Sequence, residues 1–572
     1  MKVILFHFLA LFLLSHASFS QTTANLYLQT SEMHHLMQQY SADYRSLSRF
    51  YFITNSPERR ERLKQLAEDY RQRLEKLQFA GFSVNGKADF ILFRRDLMEQ
   101  LHALQLEAEK FEETRQWLEF ADAIYDLERK RRRGATLDGQ ETGALLSDLA
   151  DDVRRASASL GKSDALDSRL VTFAGETIGG LQEALESIYD FYMGYDPSFT
   201  WWAPEPYKQL DTLLAGYDRL LKSKSKVMSS QREDESGIKG IPIGREEIIR
   251  QLEYEMIPYS PEELIEIANK EFAWCDREML KVSEEMGFGK DWKKALEKVK
   301  NTYVPPGRQP ELILKLYNES VSFLKEKDLI SIPPIAEETW RMIMMSPERQ
   351  LVNPFFTGGE VISISYPTNT MKQSDKLMSM RGNNPHFSRA TVHHELIAGH
   401  HLQQFMNQRY KDYRDFRTPF WTEGWSLYWE MLLWDQGFPE SPEDRVGMLF
   451  WRMHRCARII FSLNYHLGKW TPRECIDFLV ERVGHEYANA EGEVRRSFVG
   501  GYSPLYQVAY MIGGLQFYAL KEELVDSGKM TFREFHDAVL RENNLPVEML
   551  RAILTAQAPG RDFKSNWRFY TE

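Results

Sequence analysis

Apolar side chains recur every three or four residues in the amino-terminal part of this chain, from about Asn25 to Leu221, with charged residues between them. One example is the series Leu63, Leu66, Tyr70, Leu74 and Leu77. This spacing places the apolar residues on one face of an α-helix. Because helical spacing resumes at Arg245, we expect a mainly α, large multi-helix fold.

One segment breaks the helical pattern. Val361 to Tyr366 alternates with period two, and it is bounded by Gly358-Gly359 and Pro367. Alternation over this length predicts a short strand, and the flanking Pro favours the edge of a sheet. We therefore expect a small β edge within the helical fold.

The composition is that of a globular protein. The 572 residues are 43% hydrophobic and 27% charged, enough to bury a large core. The formal charge of −11 argues against nucleic acid as a partner, and the basic run Arg129 to Arg133 fits the last turn of a helix closed by Gly134. With only Cys275, Cys456 and Cys475, the fold is not a disulfide scaffold and at most one bridge can form.

The first twenty residues have the pattern of a cleaved secretory signal. Lys2 precedes an apolar run from Val3 to Leu14, and small residues follow at Ser18 and Ser20. The run is shorter than the roughly 20 residues that a membrane-spanning helix needs. We expect residues 1–20 to be removed from an exported protein, periplasmic or secreted, with no stable membrane insertion. No Cys lies near the cleavage site, so no lipid attachment is expected.

The remaining chain divides at a segment that lacks periodicity. Residues 222–240 are rich in Ser, Lys and acidic residues, which is typical of an exposed linker. This leaves an amino-terminal helical region at 21–221 and a second region at 241–572.

Four histidines lie within nine residues of the second region, in the sequence HHELIAGHH from His393 to His401. The pair His394-Glu395 opens the zinc peptidase motif HExxH, in which two His one turn apart bind the metal and the Glu acts on its bound water. The position that closes this motif is Ala398 here. The second His ligand must therefore lie further along the chain.

No regular helix brings a second His to the metal. His400 follows His394 by six residues, which is about 240° net around a helix of 3.6 residues per turn. His401 shares the face of His394 but lies about 10 Å along the axis, too far for ligands roughly 2 Å from one ion. We expect the helix to be distorted between His394 and His400, with Gly399 absorbing the backbone change. His401 as second ligand stays an alternative.

The segment HELIAGHHLQ, followed by TEGWSLYWE, resembles the HExxPGHHLQ and EGWxLYxE signatures of a large bacterial family catalogued as domain of unknown function 885. That family is regarded as zinc peptidases related to the gluzincins. The resemblance covers most of the chain after Ile243 and departs at Ala398, where the family has Pro. It implies that residues 241–572 are a zinc-peptidase catalytic region.

The resemblance also implies the third ligand. Glu423-Gly424 resembles the Glu-Gly step that carries the gluzincin Glu ligand, and it lies on a following helix. His394, His400 and Glu423 would leave one open position on Zn²⁺, as a catalytic zinc needs. Glu430 lies about 10 Å further along that helix, so we expect it to support a metal ligand or to contact substrate. We expect His393 and His401 to support the metal ligands or to pack against neighbouring side chains.

We expect the hydrogen-bond donors that stabilise the transition state to lie after residue 500. Gly500 to Tyr510 is similar to the Gly-Gly-Tyr-Ser-x-x-Tyr stretch of the thimet oligopeptidase family, whose tyrosines contact substrate and stabilise the tetrahedral intermediate. The likeness implies catalytic roles for Tyr502 and Tyr506, against the alternative of buried structural rings. Arg495 and Arg496 could bind a substrate carboxylate or face water.

The predicted strand Val361 to Tyr366 is expected to run beside the metal helix and pair with the backbone of a peptide substrate. Ile364→Pro removes one backbone donor, and if that donor faces substrate, peptide turnover should fall while zinc binding stays normal. The alternative is a strand paired wholly within its own small sheet.

The predicted function is an exported zinc-dependent metallopeptidase acting on oligopeptides. Zinc-activated water attacks the peptide carbonyl, with Glu395 as general base. One alternative keeps the zinc but cuts a non-peptide amide. Another is a non-catalytic exported helical protein that binds zinc or a ligand, against which Glu395 argues because a pure binder needs no general base.

Overall fold

The computed structural model describes residues 31–226, 234–350 and 355–571. The predicted signal peptide, residues 1–20, lies outside the described residues, and so do residues 227–233 of the predicted linker. In the described ranges the protein is mainly α-helical, which confirms the fold class expected from the spacing of apolar residues.

Helices make up nearly all of the regular structure. They are α1 (His34–Phe50), α2 (Pro57–Glu75), α3 (Val84–Thr114), α4 (Ala121–Arg131), α5 (Gly139–Gly161), α6 (Ser168–Tyr192), α7 (Pro197–Trp202), α8 (Pro204–Lys224), α9 (Arg245–Tyr254), α10 (Pro261–Glu285), α11 (Trp292–Lys300), α12 (Gln309–Glu326), α13 (Pro334–Thr339), α14 (Pro347–Gln350), α15 (Gln373–Gly382), α16 (Pro385–Glu395), α17 (His400–Asn407), α18 (Pro419–Asp435), α19 (Pro442–His466), α20 (Pro472–Phe478), α21 (Tyr487–Val499), α22 (Tyr506–Lys521), α23 (Phe532–Arg541) and α24 (Val547–Leu554). Short 3₁₀ turns occupy Phe79–Gly81 and Arg115–Trp117, and π-helical turns occupy Leu479–Val483 and Glu522–Asp526.

The described residues form two compact units. The first contains residues 31–34, 79–91 and 234–571, and the second contains residues 35–78 and 92–226. Residues 79–91, which the sequence analysis places in the amino-terminal region, thus belong to the first unit, and the chain passes into the second unit within α3.

The second unit has its own apolar core. Leu149, Ile178, Leu181 and Leu214 from helices α5, α6 and α8 are buried there at 0–2% exposure. Helix α4 carries basic residues in its last turn and ends at Arg131, in agreement with the helix end expected there.

Two helices of the first unit are buried on almost every face, which marks them as its centre. Helix α18 buries Trp421, Trp425 and Trp429 completely, and α19 is buried along most of its 25 residues. Helix α18 packs closely on α22 because both carry glycine at the crossing. A Cβ on Gly424 would lie 2.6 Å from the Gly513 backbone.

The strand predicted from period-two alternation exists, but its pairing differs from the expected one. β4 (Val361–Ile364) pairs in parallel with β3 (Arg341–Met344), and the carbonyl of Ile364 accepts a hydrogen bond from Met345 at 3.0 Å. On the other side, Ser363 exchanges backbone hydrogen bonds with Thr357. The N–H and C=O of one strand residue point the same way, so Ile364 faces β3. The condition set for the Ile364→Pro variant, that this N–H faces substrate, is therefore not met.

A second small sheet pairs β1 (Leu166–Asp167) with β2 (Ser225–Lys226) in parallel. Cys275, Cys456 and Cys475 are buried and not bonded to one another as disulfides. Among the described helices, none combines the length and apolar character that crossing a membrane requires.

Replacing Gly513 with Ala tests the close packing of α18 on α22. The new Cβ would lie 2.2 Å from the carbonyl oxygen of Phe420, so backbone must move, and we expect stability to fall by about 3 kcal/mol or more. Gly514→Ala is the matched control, because its Cβ meets only the Leu427 side chain, at 3.2 Å. Equal thermal unfolding midpoints for the two variants would contradict this packing.

Candidate metal centre and its cleft

Helix α16 starts with a side-chain cap and ends at the predicted metal residues. The side-chain oxygen of Asn384 accepts hydrogen bonds from the backbone N–H groups of His386 and Phe387 at 3.1 Å, and Pro385 occupies the first helical position. A capped start with Pro at this position stabilises a helix. The helix then ends at Glu395.

The chain breaks its helix between the two predicted histidine ligands, as the spacing argument predicts. Leu396 has φ −112° and ψ −109°, and a new helix begins at His400. The N–H of Gly399 donates to the carbonyl of His393 at 2.8 Å. A Cβ on Gly399 would lie 1.9 Å from the carbonyl oxygen of His394. Gly399 is thus required by space, and its φ is −82° with ψ −130°.

Helix α18 holds this break in place. The indole N–H of Trp425 donates to the carbonyl of Ala398 at 2.8 Å. That carbonyl lies in the non-helical segment, where it has lost its helical partner, and a buried carbonyl needs a donor. The Glu-Gly-Trp sequence thus supplies a predicted ligand in Glu423, the helix crossing in Gly424 and the anchor of the break in Trp425.

The break brings the three predicted ligands to one point. Oε2 of Glu423 lies 3.5 Å from Nε2 of His394 and 3.3 Å from Nε2 of His400. All three ligand atoms lie within 4.8 Å of one another. Glu423 Oε2 is buried and has no hydrogen-bond partner among the described residues. An unpartnered carboxylate oxygen facing two imidazole nitrogens fits a bound cation.

The second polar atom of each of these three side chains also has a hydrogen-bond partner. His394 Nδ1 donates to Glu430 Oε1 at 2.6 Å, and His400 Nδ1 lies 3.3 Å from Oγ of Ser426. The hydroxyl of Tyr506 donates to Oε1 of Glu423. Such outer partners fix the orientation of metal-binding side chains, and Glu430 has the supporting place expected of it.

Buried charges balance one another around the cluster. Burial acts to raise the pKa of Glu423, but the imidazoles of His400 and His394 lower it well below its usual range. Glu430 is likewise buried, yet Arg455 and His394 lower its pKa to about 2. Burial acts to lower the pKa of His394, but Glu423 and Glu430 raise it to about 9. Two carboxylates around one imidazole therefore favour a positive charge here, which a divalent cation would supply by displacing the proton.

The two remaining histidines of the motif point elsewhere. His393 packs edge-on against Phe438 and makes no hydrogen bond to any described residue, and burial lowers its pKa to about 3. His401 Nε2 donates to the carbonyl of Ala336 at 2.7 Å. The geometry thus favours His400 over His401 as the partner of His394.

Glu395 faces the same cleft from the end of α16. Its Oε2 accepts a hydrogen bond from the backbone N–H of Gly358 at 2.5 Å, and its carbonyl accepts from Gly359 at 3.0 Å. A Cβ on Gly358 would lie 2.1 Å from the Glu395 carbonyl oxygen, so glycine permits this approach. Thr357 and Gly358 line the cleft, whereas β4 does not.

Three tyrosines lie along the cleft. Tyr502 and Tyr506 were predicted, and their rings are 4.5 Å apart. Tyr510 was not predicted, and its ring stacks on His394 at 6.1 Å. Burial and Glu423 raise the pKa of Tyr506, so its hydroxyl remains a donor.

Buried arginines complete the lining. The cleft encloses about 290 Å³, and Arg455, Arg458 and Arg496 are among its lining residues. Arg495 is not among them and pairs with Glu491 at 2.9 Å. Arg455 and Arg458 were not predicted, because their positions within α19 do not reveal which cleft the helix packs against.

One family model matches most of the chain. The family model described as "Bacterial protein of unknown function (DUF885)" matches residues 53–554. No curated protein matches the chain.

Two solved structures share the fold. A "putative lipoprotein of unknown function" from Shewanella oneidensis is 14% identical with a TM-score of 0.64, and the match covers 92% of this chain and 100% of that one. A "putative lipoprotein" from Colwellia psychrerythraea is 16% identical with a TM-score of 0.57, covering 92% and 98%. At such identities the likeness extends to the fold alone.

The substitution Gly399→Ala tests the helix break. Since the added methyl would overlap the His394 carbonyl, we expect a loss of stability of about 3 kcal/mol or more, measured as a lower thermal unfolding midpoint. Gly560→Ala is the control, because a Cβ there meets no atom within 4 Å. If the Gly399→Ala protein is as stable as the control, the break tolerates a Cβ at this position and does not require glycine.

Proposed function

Since the chain belongs to the family described as "Bacterial protein of unknown function (DUF885)", which names no activity, we propose a function from its own residues: an exported zinc-dependent metallopeptidase that hydrolyses peptide bonds of oligopeptides. One observation carries the proposal. His394, His400 and Glu423 converge on one point, and the Glu395 carboxylate lies on the same cleft.

The donor set fits zinc. Two imidazole nitrogens and one carboxylate oxygen are the ligands of a catalytic zinc with one position open, and each has an outer partner that orients it. A zinc ion bound there would polarise the substrate carbonyl and lower the pKa of a water molecule.

Glu395 is the proposed general base. Its carboxylate is oriented by the N–H of Gly358 and would accept the proton of the attacking water, then pass it to the leaving amine. A backbone donor holds the carboxylate without neutralising it. This residue separates the proposal from a non-catalytic zinc or ligand binder, which has no use for a base at this position.

Tyr502 is the proposed donor to the oxyanion that forms on the substrate carbonyl. It is half-buried on the cleft, whereas the hydroxyl of Tyr506 already donates to Glu423. We therefore assign Tyr506 chiefly to holding Glu423 in place. The likeness to gluzincins and to the thimet oligopeptidase family is supported by the motifs alone.

Export is supported by two independent observations. The sequence of residues 1–20 has the pattern of a secretory signal. The two solved structures from Shewanella oneidensis and Colwellia psychrerythraea are each named as a "putative lipoprotein", and lipoproteins are a class of exported protein. The proposal places the enzyme in the periplasm or outside the cell.

Metal analysis tests the proposed ligands. We expect one zinc per chain in the purified protein, and loss of that zinc in His394→Ala and Glu423→Gln, because each removes one of three protein ligands. His401→Gln is the control, since Gln can still donate to the Ala336 carbonyl and His401 lies outside the cluster. Zinc retained by both ligand variants, with folding checked by circular dichroism, would refute the assignment.

Replacing Glu395 with Gln tests the general base. We expect zinc content and fold to be unchanged while peptide turnover falls at least about 100-fold, because only proton transfer is removed. Glu360→Gln serves as control, since that side chain is about half exposed and pairs with Arg341. Turnover of Glu395→Gln within tenfold of the parent would rule out this role.

A further inference from the structure

Two arginines that line the cleft share one carboxylate. Arg455 pairs with Glu430 at 2.9 Å, but Arg458 and Arg496 share the single carboxylate of Glu493, at 2.7 and 3.1 Å. The cluster of Arg458, Arg496 and Glu493 therefore holds one unbalanced positive charge. Buried charges are costly unless they are paired.

Neighbouring histidines do not change this balance. His454 Nε2 lies 3.9 Å from Glu493, and burial together with Arg458 lowers its pKa well below the usual range. Burial also lowers the pKa of His485 to about 3. Both imidazoles are thus neutral at physiological pH and neither adds nor removes charge.

Arg458 has a free donor in this cluster. Its side chain is 4% exposed, and its Nε donates to Glu493 at 2.7 Å. Its Nη1 is buried and has no hydrogen-bond partner among the described residues, although Arg458 lines the cleft. Guanidinium groups bind carboxylates through such free N–H groups.

From this charge and this free donor we propose that Arg458, with Arg496, binds a carboxylate of the substrate. The proposal rests on the proposed peptidase function and names its substrate class: peptides with a carboxylate close to the bond that is cut. That carboxylate is either the carboxyl terminus or an Asp or Glu side chain.

The position of Arg458 sets the distance between this carboxylate and the scissile bond. Its guanidinium carbon lies 4.2 Å from the Tyr510 ring centroid, and that ring lies 6.1 Å from the ring of His394. The guanidinium carbon therefore lies at most about 10 Å from the His394 ring, the length of about three extended residues at roughly 3.3–3.6 Å each, which places the carboxylate within a few residues of the metal ligands. A terminal carboxylate held here would make the enzyme release short carboxy-terminal fragments.

Matched peptides test the proposal. Uncharged hexapeptides are offered to the full-length zinc protein as free acids and as carboxy-terminal amides, and cleavage is followed by mass spectrometry. A third set is amidated and carries Asp or Glu at each position, with Asn or Gln as its control. We expect kcat/KM for the preferred carboxylate to exceed that for its neutral counterpart at least about tenfold. A preference for free acids identifies the terminal carboxylate, and a preference in the third set identifies the side chain.

Arg458→Gln should reduce this ratio of carboxylate to neutral substrate towards one, chiefly through KM, and should keep its zinc. Arg496→Gln should reduce it in the same direction. Arg495→Gln is the matched control, because that neighbour lies outside the cleft and pairs with Glu491, and its ratio should stay at the parent value. An equal fall on carboxylate and neutral peptides in Arg458→Gln would indicate a structural role and overturn the proposal.

Binding to the inactive Glu395→Gln protein separates this proposal from the peptidase function. Calorimetry with the same hexapeptides should show tighter binding of the carboxylate form, lost in Glu395→Gln/Arg458→Gln. If the parent cuts no peptide yet this preference appears, the carboxylate site stands and the peptidase function fails. If the parent protein cuts free-acid peptides, amidated peptides and the peptides with Asp or Glu with equal kcat/KM, the carboxylate site is refuted and the peptidase function stands.

Discussion

The site depends on one constraint, the break in the helix between Glu395 and His400. Six residues separate the two histidines, so an unbroken helix would turn them to different faces. The chain instead leaves the helix after Glu395, and Gly399 approaches the His394 carbonyl more closely than any residue with a Cβ could. Trp425 holds the break by binding the Ala398 carbonyl. Helix α18 therefore supplies both Glu423 and the anchor that brings His400 to it.

Buried charge as well as apolar side chains surrounds the cleft beside the break. Helix α19 carries Arg455 and Arg458 into the interior, where Glu430 and Glu493 meet them. Such pairs are weak contributors to stability, because desolvation offsets their attraction. Their value lies in orientation: Glu430 receives both Arg455 and His394. Burial of these charges costs stability, but it fixes the side chains of the cleft, as is expected at functional sites.

Much of this could be predicted from the sequence, because the signals were local. Helical periodicity predicted the fold class, and the mismatch between HHELIAGHH and a regular helix predicted the break at Gly399. Arg458 and Tyr510 could not be predicted, because their place on the cleft depends on how α19 and α22 pack. The predicted pairing of β4 was wrong for the same reason. Its partners, β3 and Thr357, are set by contacts that no period-two pattern reveals.

We propose that the broken helix and α18 together form one zinc site. Crystals of the protein grown with one equivalent of zinc, measured on both sides of the zinc absorption edge, would locate the metal. We expect one strong anomalous peak per chain, roughly 2.0–2.2 Å from Nε2 of His394, Nε2 of His400 and a carboxylate oxygen of Glu423. An absent peak, or a peak bound by His393, His401 or a distant surface cluster, would contradict it.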